Sequence, residues 1–393
     1  MTFKNFASIF SNNGSVAIKE IKGKRVAIDA SIKIAAALVS MQYGARLTAP
    51  DGSPTSHIKI LLANIAEFKR HNISQIWIFD DSSRKSYKVN EMSKRTLIRE
   101  KLREQIQALQ LKIKSLTDEF KDSSVDQNME RKGYILGIDT PPGSDDEFDG
   151  SDNKGLSQVN RDKLIIRYEQ KIIKLKSRDI SDFAQGIQDL KFMLTMLNIP
   201  FIIAPKETEA EQIGALLANN NIIDYFITTD PDYLLFAAGG RIQTGIAPTF
   251  PVTMLKKIPK KQQYHVYTLD TILAENLITE EELLNVGVCM GVDVINHDSY
   301  SSTSGIKGIG AKNVINIVKG TRSSKAYVIE DYHIAGIQIF KTVIDINAID
   351  LPEAKRPISA ANLKQFKAWI IKEKRFNEDN VKKILKIITS SRA

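Results

Sequence analysis

Hydrophobic and polar positions follow one another in blocks that predict a layered α/β protein. Short apolar runs at 26–28, in QIWIFD, in PFIIAP and in IDYFITTD have the length and composition of buried strands. Between them, segments such as SHIKILLANIAEFKRHN and ETEAEQIGALLANNN carry apolar residues at helical spacing. Apolar strands that alternate with amphipathic helices are typical of a mostly parallel central sheet flanked by helices.

The pattern changes in the middle of the chain. NEMSKRTLIREKLREQIQALQLKIKSL is a long and highly charged helical pattern. Residues 122–158 then lose periodicity and are rich in Gly, Pro, Ser and Asp, which predicts a disordered acidic loop. These changes divide the chain into an N-terminal part at 1–95, a helical insert at 96–184, an internal part at 185–300 and a C-terminal region at 301–393.

Composition narrows the class of protein and of partner. The formal net charge is +9 and the isoelectric point about 9.2, which favours a polyanionic partner such as nucleic acid. The single cysteine, Cys289, excludes an internal disulfide framework and favours a reducing compartment. The first residues lack the apolar core of a signal peptide, and no apolar run approaches the roughly 20 residues that span a bilayer. We therefore expect a soluble intracellular protein without membrane contact, with the nucleus and a viral replication site both open.

Carboxylates follow the predicted strands at once. They are Asp29, Asp80, Glu207, Glu209, Asp230 and Asp232, and Asp293 follows a fifth apolar segment, which we also expect to be a strand. Ligands of open α/β sheets bind beyond the carboxyl ends of the strands, so these side chains are expected to converge. Such a group needs protons or cations among its members, and oxygen ligands without His or Cys suit Mg²⁺ or Mn²⁺. A single Asp after a strand is often a helix cap or turn residue, but seven such positions are harder to explain in that way.

The segments around these carboxylates resemble, in the same order, the metal-site segments of a known enzyme family. They are VAIDAS, WIFD, APKETEAE, TTDPDYLLF and MGVDV. The resemblance is to the flap endonuclease family, the structure-specific 5′-nucleases of the XPG type, and it covers nearly the whole chain outside the insert. It implies a PIN-like 5′-nuclease fold with a helical arch, in which the seven carboxylates hold two Mg²⁺ ions, with Mn²⁺ as a substitute.

The charged helical pattern after Asp80 matches the family's arch. Lys88 and Arg95 are seven residues apart and so share a helix face. They match the lysine and arginine that meet the scissile phosphate in the family, and Arg99 would add a phosphate contact. The alternative is an ordinary solvated helix face. The insert between Arg95 and Glu207 is longer than the family's arch, and Ala35 stands where the family usually has a base-stacking tyrosine.

The glycine-rich segment GIKGIGAKNVINIVKG resembles the family's helix–two-turn–helix element. Its candidate DNA contacts are Gly305, Ile306, Lys307, Gly308, Gly310 and Lys312. Glycines allow close approach to phosphate, and in the family carbonyls of this loop also hold K⁺ against DNA. A dinucleotide-binding loop is the alternative, but no strand precedes the segment and no ribose-binding acid follows it.

The resemblance implies a 5′-flap endonuclease with 5′–3′ exonuclease activity that acts on branched or flapped DNA in replication, repair or recombination. We expect a monomer, and we find no sliding-clamp peptide near the C-terminus. The alternatives are an exonuclease or a resolvase of the same family, or a protein that binds branched DNA without cutting it. A phosphotransferase with an aspartyl nucleophile in DPD is a further alternative that leaves Asp293 and the glycine-rich segment unexplained.

Overall fold

A seven-stranded mixed sheet forms the centre of the protein, as seen in a computed structural model. The strands are β1 (Ser15–Ala17), β2 (Arg25–Asp29), β3 (Ser74–Phe79), β4 (Phe201–Ile203), β5 (Tyr225–Ile227), β6 (Thr253–Lys257) and β7 (Gln263–Thr268). Their order across the sheet is β1-β7-β6-β5-β2-β3-β4. The structure describes residues 5–40, 48–50, 55–81, 89–121, 158–176, 182–259, 261–292, 309–320, 331–351 and 357–390.

The predicted parallel sheet is confirmed. Strands β6, β5, β2, β3 and β4 run parallel to their neighbours, and the register places Ile28 opposite both Trp77 and Ile227. At the other side of the sheet, β7 pairs antiparallel with both β6 and β1. The carboxyl ends of β2, β3 and β5, which are neighbours in the sheet, therefore meet at one edge.

Alternate residues of the central strands enter two different apolar layers. Ala27 and Phe226 face one cluster, while Ile28 and Ile227 face the other. This alternation explains why the strands are apolar throughout, since a strand covered on both faces has no position left for a solvent-exposed polar side chain.

Helices cover both faces of the sheet. One layer receives residues of α1 (Phe6–Ile9), α7 (Ala210–Asn219), α8 (Asp232–Thr244), α9 (Leu269–Asn276), α10 (Glu280–Met290), α11 (Val314–Val318) and α12 (Asp331–Lys341). The other layer receives α2 (Ala30–Ser40), α3 (Ser56–Arg70), α6 (Phe183–Met196), α13 (Ala360–Ala368) and α14 (Glu378–Thr389), with the π-helical turn Trp369–Glu373. In the described segments, short 3₁₀ turns lie at Ile18–Ile21 and Ile346–Ala348.

The chain divides into two compact units. The first consists of Met1–Arg95 and Ile180–Ala393 and contains the sheet. The second, Thr96–Asp179, consists of most of α4 (Val89–Lys121) together with α5 (Gln158–Lys176). Within the second unit the two helices share a small apolar cluster of Leu102, Ile106, Leu109, Ile172 and Leu175.

Two features differ from the sequence-based expectation. The apolar segment before Asp293 is helix α10 rather than a strand, and its capping box between Thr279 and Glu282 marks a helix start. Strands β1 and β7, which pair antiparallel, and strand β6, which lies between β5 and β7, were not predicted. The predicted disordered loop lies outside the described residues, except for Gln158 at the start of α5. Among the helices that the structure describes, none is long and apolar enough to cross a bilayer.

Candidate active site

Three neighbouring parallel strands deliver acidic residues to one edge of the sheet. Asp29 is the last residue of β2, Asp80 directly follows β3, and Asp230 lies three residues beyond β5. Because β2 pairs with both β3 and β5, these residues reach the same edge although they are far apart in sequence. The structure thus places the three where the sequence pattern predicted.

Asp29 is held on both carboxylate oxygens. The backbone N–H of Ile32, in the first turn of α2, donates to Oδ1 at 3.1 Å. The Thr228 hydroxyl donates to Oδ2 at 3.2 Å. Only 2% of the Asp29 surface is exposed, so its charge has almost no contact with solvent. These donors therefore replace part of the lost hydration.

Asp80 joins the starts of two helices. The hydroxyl of Ser31 in α2 donates to Oδ2 at 2.9 Å. The backbone N–H of Ala210, the first residue of α7, donates to Oδ1 at 3.1 Å. An N–H at a helix start lacks an intrahelical partner. Asp80 therefore accepts the hydrogen bond that this N–H of α7 would otherwise lack, and the bond in turn fixes the direction of the carboxylate.

The turn after β5 fixes the position of Asp230. The Thr228 hydroxyl accepts from the Asp230 backbone N–H at 3.0 Å, and Asp230 Oδ1 accepts from the Asp232 N–H at 3.1 Å. Pro231 lies between the two aspartates and precedes α8. Asp232 is buried in the first turn of α8. Thr228 therefore connects Asp29 on β2 to the Asp230 turn.

The start of α7 adds two further carboxylates. Glu209 is the N-cap residue of α7 and Glu211 lies in its first turn, and both are buried. Glu207 lies in the preceding turn, where it is half-buried and has a left-handed backbone with φ of 64°. The structure therefore brings Glu211, which the sequence analysis had not selected, into the acidic group.

Electrostatics show how close these groups are. Burial, together with the charges of Asp29, Asp230, Asp80 and Glu209, raises the pKa of Glu211 well above its usual value. Burial and the charge of Asp80 raise the pKa of Asp29 to about 7, although hydrogen bonds from Ile32, Glu211 and Thr228 oppose that rise. The hydrogen bond between Glu211 and Asp29 lowers the pKa of Asp29, which is the effect of a donor on an ionised carboxylate. Burial and like charge therefore both favour retention of a proton in this group.

We call Asp29, Asp80, Glu209, Glu211 and Asp230 the acidic cluster. Its donors are oxygens, which are the ligands that Mg²⁺ and Mn²⁺ prefer. A bound cation could offset the repulsion that, together with burial, raises these pKa values. Over the described ranges, no three Asp, Glu, His or Cys side chains are arranged to hold a metal ion. The chemistry of the donor set fits a divalent ion. To bind one, the carboxylates of Asp29 and Glu211, which share a hydrogen bond, would have to turn towards the ion.

The predicted phosphate and DNA contacts lie partly outside the described residues. Lys88, Asp293, Gly305, Ile306, Lys307 and Gly308 lie outside the described residues, as does the side chain of Arg95. Arg99 is exposed on α4 in the second unit. Gly310 precedes α11, where its carbonyl accepts from the N–H groups of Asn313 and Val314, and Lys312 is exposed in the same turn.

Three residues of the site were missed in the sequence. The segment ETEAE offers three glutamates at a spacing of two, and the family motif was matched to the first two, Glu207 and Glu209. Glu211 could have been found from its place at the start of an amphipathic helix. Ser31 and Thr228 gave no such signal, because their roles depend on strand pairing.

Comparison with known proteins gives two family matches. The model of the XPG N-terminal domain matches residues 1–102, and the model of the XPG I-region matches residues 198–293. Together they cover half of the chain. The second match includes the turns that carry Glu209, Glu211 and Asp230.

Full-length relatives agree with these matches. Flap endonuclease 1 of Methanocella arvoryzae is 22% identical over 391 residues, which cover 96% of this chain and 92% of that protein. Flap endonuclease 1 of Nanoarchaeum equitans is 25% identical over 378 residues, which cover 94% and 89%.

Solved structures show the same fold. Flap endonuclease-1 from Methanococcus jannaschii aligns with a TM-score of 0.57 at 16% identity, over 98% of each chain. Human GEN1 in complex with Holliday junction DNA aligns with a TM-score of 0.53 at 12% identity, over 98% of this chain and 76% of that one. The chain therefore belongs to the XPG family and is a nuclease, an enzyme that hydrolyses phosphodiester bonds.

Proposed function

We propose that this protein is a divalent-metal-dependent 5′-flap endonuclease with 5′–3′ exonuclease activity on DNA. The observation that supports this function most strongly is the acidic cluster, in which burial and then mutual repulsion raise the pKa values of Asp29 and Glu211. Purely structural carboxylates in a protein interior are normally paired with cationic side chains. In this group of five, Asp29, Glu209 and Glu211 are buried and Asp80 and Asp230 are half-buried. Such a group with mutual repulsion fits a site built to receive cations.

Two Mg²⁺ ions would be held by the acidic cluster, with Asp232 and Asp293 as the other predicted ligands. Glu207, which the resemblance also matched, lies in the turn before α7 and takes a lesser part in this proposal. Such a pair supplies an activated water and neutralises charge on the attacking and leaving oxygens of an in-line displacement. Mn²⁺ has the same preference for oxygen ligands and is expected to substitute.

The chain itself supplies orientation and a dry environment. Ser31 and Thr228 hold Asp80 and Asp29 by hydroxyl hydrogen bonds, which fix the carboxylates on rigid strand ends before a substrate arrives. Burial of Asp29 and Glu211 keeps bulk water away, so the field of the carboxylates acts at short range without solvent screening. On ion binding, the hydrogen bond between Asp29 and Glu211 would open and its proton would leave.

DNA as the substrate is supported by charge and by the relatives. The net charge of +9 suits a polyanion. The relatives of similar length are named flap endonuclease 1, and the human GEN1 structure contains Holliday junction DNA. In this proposal Lys88 and Arg95 contact the scissile phosphate and Arg99 contacts a neighbouring phosphate. The Gly305–Lys312 segment would grip duplex DNA, with K⁺ at its carbonyls. A eukaryotic junction-resolving enzyme, GEN-1, has been solved with potassium and aligns with a TM-score of 0.53.

A product-length assay tests the proposal and separates it from its alternatives. End-labelled 5′-flap, nicked, gapped and four-way DNA are incubated with the protein in Mg²⁺ and in EDTA. We expect Mg²⁺-dependent cleavage near the base of the 5′ flap, with slower release of short products from nicked and gapped DNA. Preferred symmetrical cuts in the four-way junction would contradict flap specificity and indicate a resolvase. Binding without an EDTA-sensitive product in any metal would contradict the enzyme.

A further inference from the structure

A second charged group lies at the same edge of the sheet as the acidic cluster. Strand β6 runs parallel to β5 with Leu255 opposite Ile227, so Lys257, the last residue of β6, reaches the edge where β5 leads to Asp230. Lys257 is paired with Tyr264 at the start of the antiparallel strand β7. Leu255 and Tyr264 belong to the apolar layer that α2 covers, and Lys257 shares their face because side chains alternate along a strand.

Lys33 in α2 reaches the same tyrosine. Its Nζ lies 5.6 Å from the centroid of the Tyr264 ring, and Lys257 Nζ lies 4.8 Å from that centroid. Lys33 is nine-tenths buried, Tyr264 is almost wholly buried, and Lys257 is exposed. Two ammonium groups from different elements therefore surround one aromatic ring, one deep and one at the surface. We call Lys33, Lys257 and Tyr264 the lysine–tyrosine group.

Within the described part of the chain, the positive charges of this group are only partly compensated. Burial and the charge of Lys257 lower the pKa of Lys33 to about 8, while Asp29 opposes that shift. Glu67 acts in the same opposing way on Lys257, but neither lysine forms an ion pair with a carboxylate among the described residues. Burial and Glu67 raise the pKa of Tyr264 to about 12, so the phenol stays neutral. The two cations repel each other and would be stabilised by an anion that contacts both.

We propose that Lys33 and Lys257 bind a backbone phosphate of the DNA strand beside the phosphodiester that the acidic cluster cleaves. The proposal rests on the proposed function, since it assumes a DNA substrate. A phosphate carries negative charge that can compensate both ammonium groups. A lysine binds phosphate as a point charge and does not require one particular geometry. The ring of Tyr264 makes cation–π contacts with both lysines. Its neutral hydroxyl can also donate a hydrogen bond to the phosphate. Binding at this position would hold the substrate strand against the sheet edge.

Lysine-to-methionine substitutions test the proposal, because methionine keeps much of the apolar stem and removes the charge. Full-length Lys33→Met and Lys257→Met proteins are compared with Lys256→Met as a matched control. Lys256 is adjacent on β6, but alternation directs it to the opposite face of the sheet. Binding to a fluorescent 5′-flap DNA is measured by anisotropy in EDTA over a range of salt concentrations.

We expect Lys33→Met and Lys257→Met each to weaken DNA binding several-fold. Each should also reduce the slope of log affinity against log salt by about one, the change expected for one lost phosphate contact. Lys256→Met should retain the wild-type affinity and slope. In Mg²⁺, both test variants should raise KM for flap DNA, while the Mg²⁺ concentration that gives half-maximal cleavage by Lys257→Met stays unchanged.

Other outcomes would overturn the proposal. The proposal is overturned if Lys257→Met keeps the wild-type DNA affinity and salt slope. If Lys33→Met has a lowered melting temperature, its DNA binding is set aside and Lys257→Met alone is the test. Equal losses in Lys256→Met would show a general effect of net charge. A changed Mg²⁺ requirement with unchanged DNA affinity would show that the lysines act through the carboxylates. If the wild-type protein neither binds nor cuts DNA, the proposed function itself has failed.

Discussion

The role of Glu211 depends on a local feature that a motif match does not contain. Glu207, Glu209 and Glu211 are equally spaced, but α7 begins between the first and the last of them. Glu207 precedes the helix in a left-handed turn, whereas Glu211 is buried and acts on Asp29. The three glutamates therefore have different surroundings despite identical chemistry.

Substitution of the two outer glutamates tests this distinction. Glu211→Gln should lower the rate of Mg²⁺-dependent flap cleavage about 100-fold or more, because a metal ligand contributes several kcal/mol to transition-state stabilisation. Glu207→Gln should have a much smaller effect. Single-turnover cleavage of a 5′-flap DNA measures both rates. An inactive Glu207→Gln beside an active Glu211→Gln would restore the assignment made from the motif alone.

Element packing in the first unit shows where small residues are required. Helices α8 and α12 approach closely at Gly239, where a Cβ atom would lie 2.1 Å from the carbonyl oxygen of Phe340. A backbone atom cannot turn away from such a clash as a side chain can. At the neighbouring Gly240, a Cβ would meet the side-chain nitrogen of Asn219 at 2.7 Å, and that group can rotate.

Alanine substitutions compare these two positions. Gly239→Ala should lower the free energy of unfolding by roughly 1–3 kcal/mol, because α12 must move to accept the methyl group. Gly240→Ala should change it much less, since the gain in helix propensity offsets the movement of Asn219. Urea denaturation of both proteins measures the difference. Equal stability of the two variants would contradict the close approach of α8 and α12.

A buried polar contact joins three elements. His57 in α3 lies 2.8 Å from Asp189 Oδ2 in α6, and both are buried. Lys374, after the π-helical turn, lies 3.3 Å from Asp189 Oδ1. Burial would raise the pKa of Asp189, but the hydrogen bond from His57 and the charge of Lys374 outweigh it, so the pKa lies below its ordinary value of 3.8.

This lowered pKa gives a stability contribution with a defined pH range. The ionised Asp189 stabilises the folded state above pH 3.8, and the contribution is lost as pH falls through the lower folded pKa. Asp189→Asn should therefore cost about 2 kcal/mol at pH 7, and the difference from wild type should shrink below about pH 4. Urea denaturation at several pH values checks this. Glu378→Gln, which removes an exposed ion pair with Lys382, is the control and should leave stability unchanged.

The central strands could be predicted because burial on both faces leaves a continuous apolar run, as in 26–28 and QIWIFD. β6 and β7 were missed because TMLKK and QYHVYT mix polar and apolar residues at the edge of the parallel part. Asp29, Asp80 and Asp230 could be predicted from strand ends. The contacts of Ser31 and Thr228 could not, since they depend on which strands are neighbours.

At the scale of the whole molecule, the chain joins a compact α/β unit to a separate helical unit. The family models match the two stretches that contain the acidic cluster, while α5 and the segment before it lie between them. Family membership therefore rests on the sheet and its acidic edge. Most of the second unit lies between the two matched stretches, so the family match does not depend on it.

The most direct test of the account is cleavage by Asp230→Ala. Wild-type and variant proteins are incubated with a labelled 5′-flap DNA in Mg²⁺, and binding to the same DNA is measured in EDTA. The account predicts that the wild type cuts the flap in Mg²⁺ and that Asp230→Ala binds it equally well without cutting. Normal cleavage by Asp230→Ala in Mg²⁺ would contradict the assignment of the acidic cluster as the metal-dependent nuclease site.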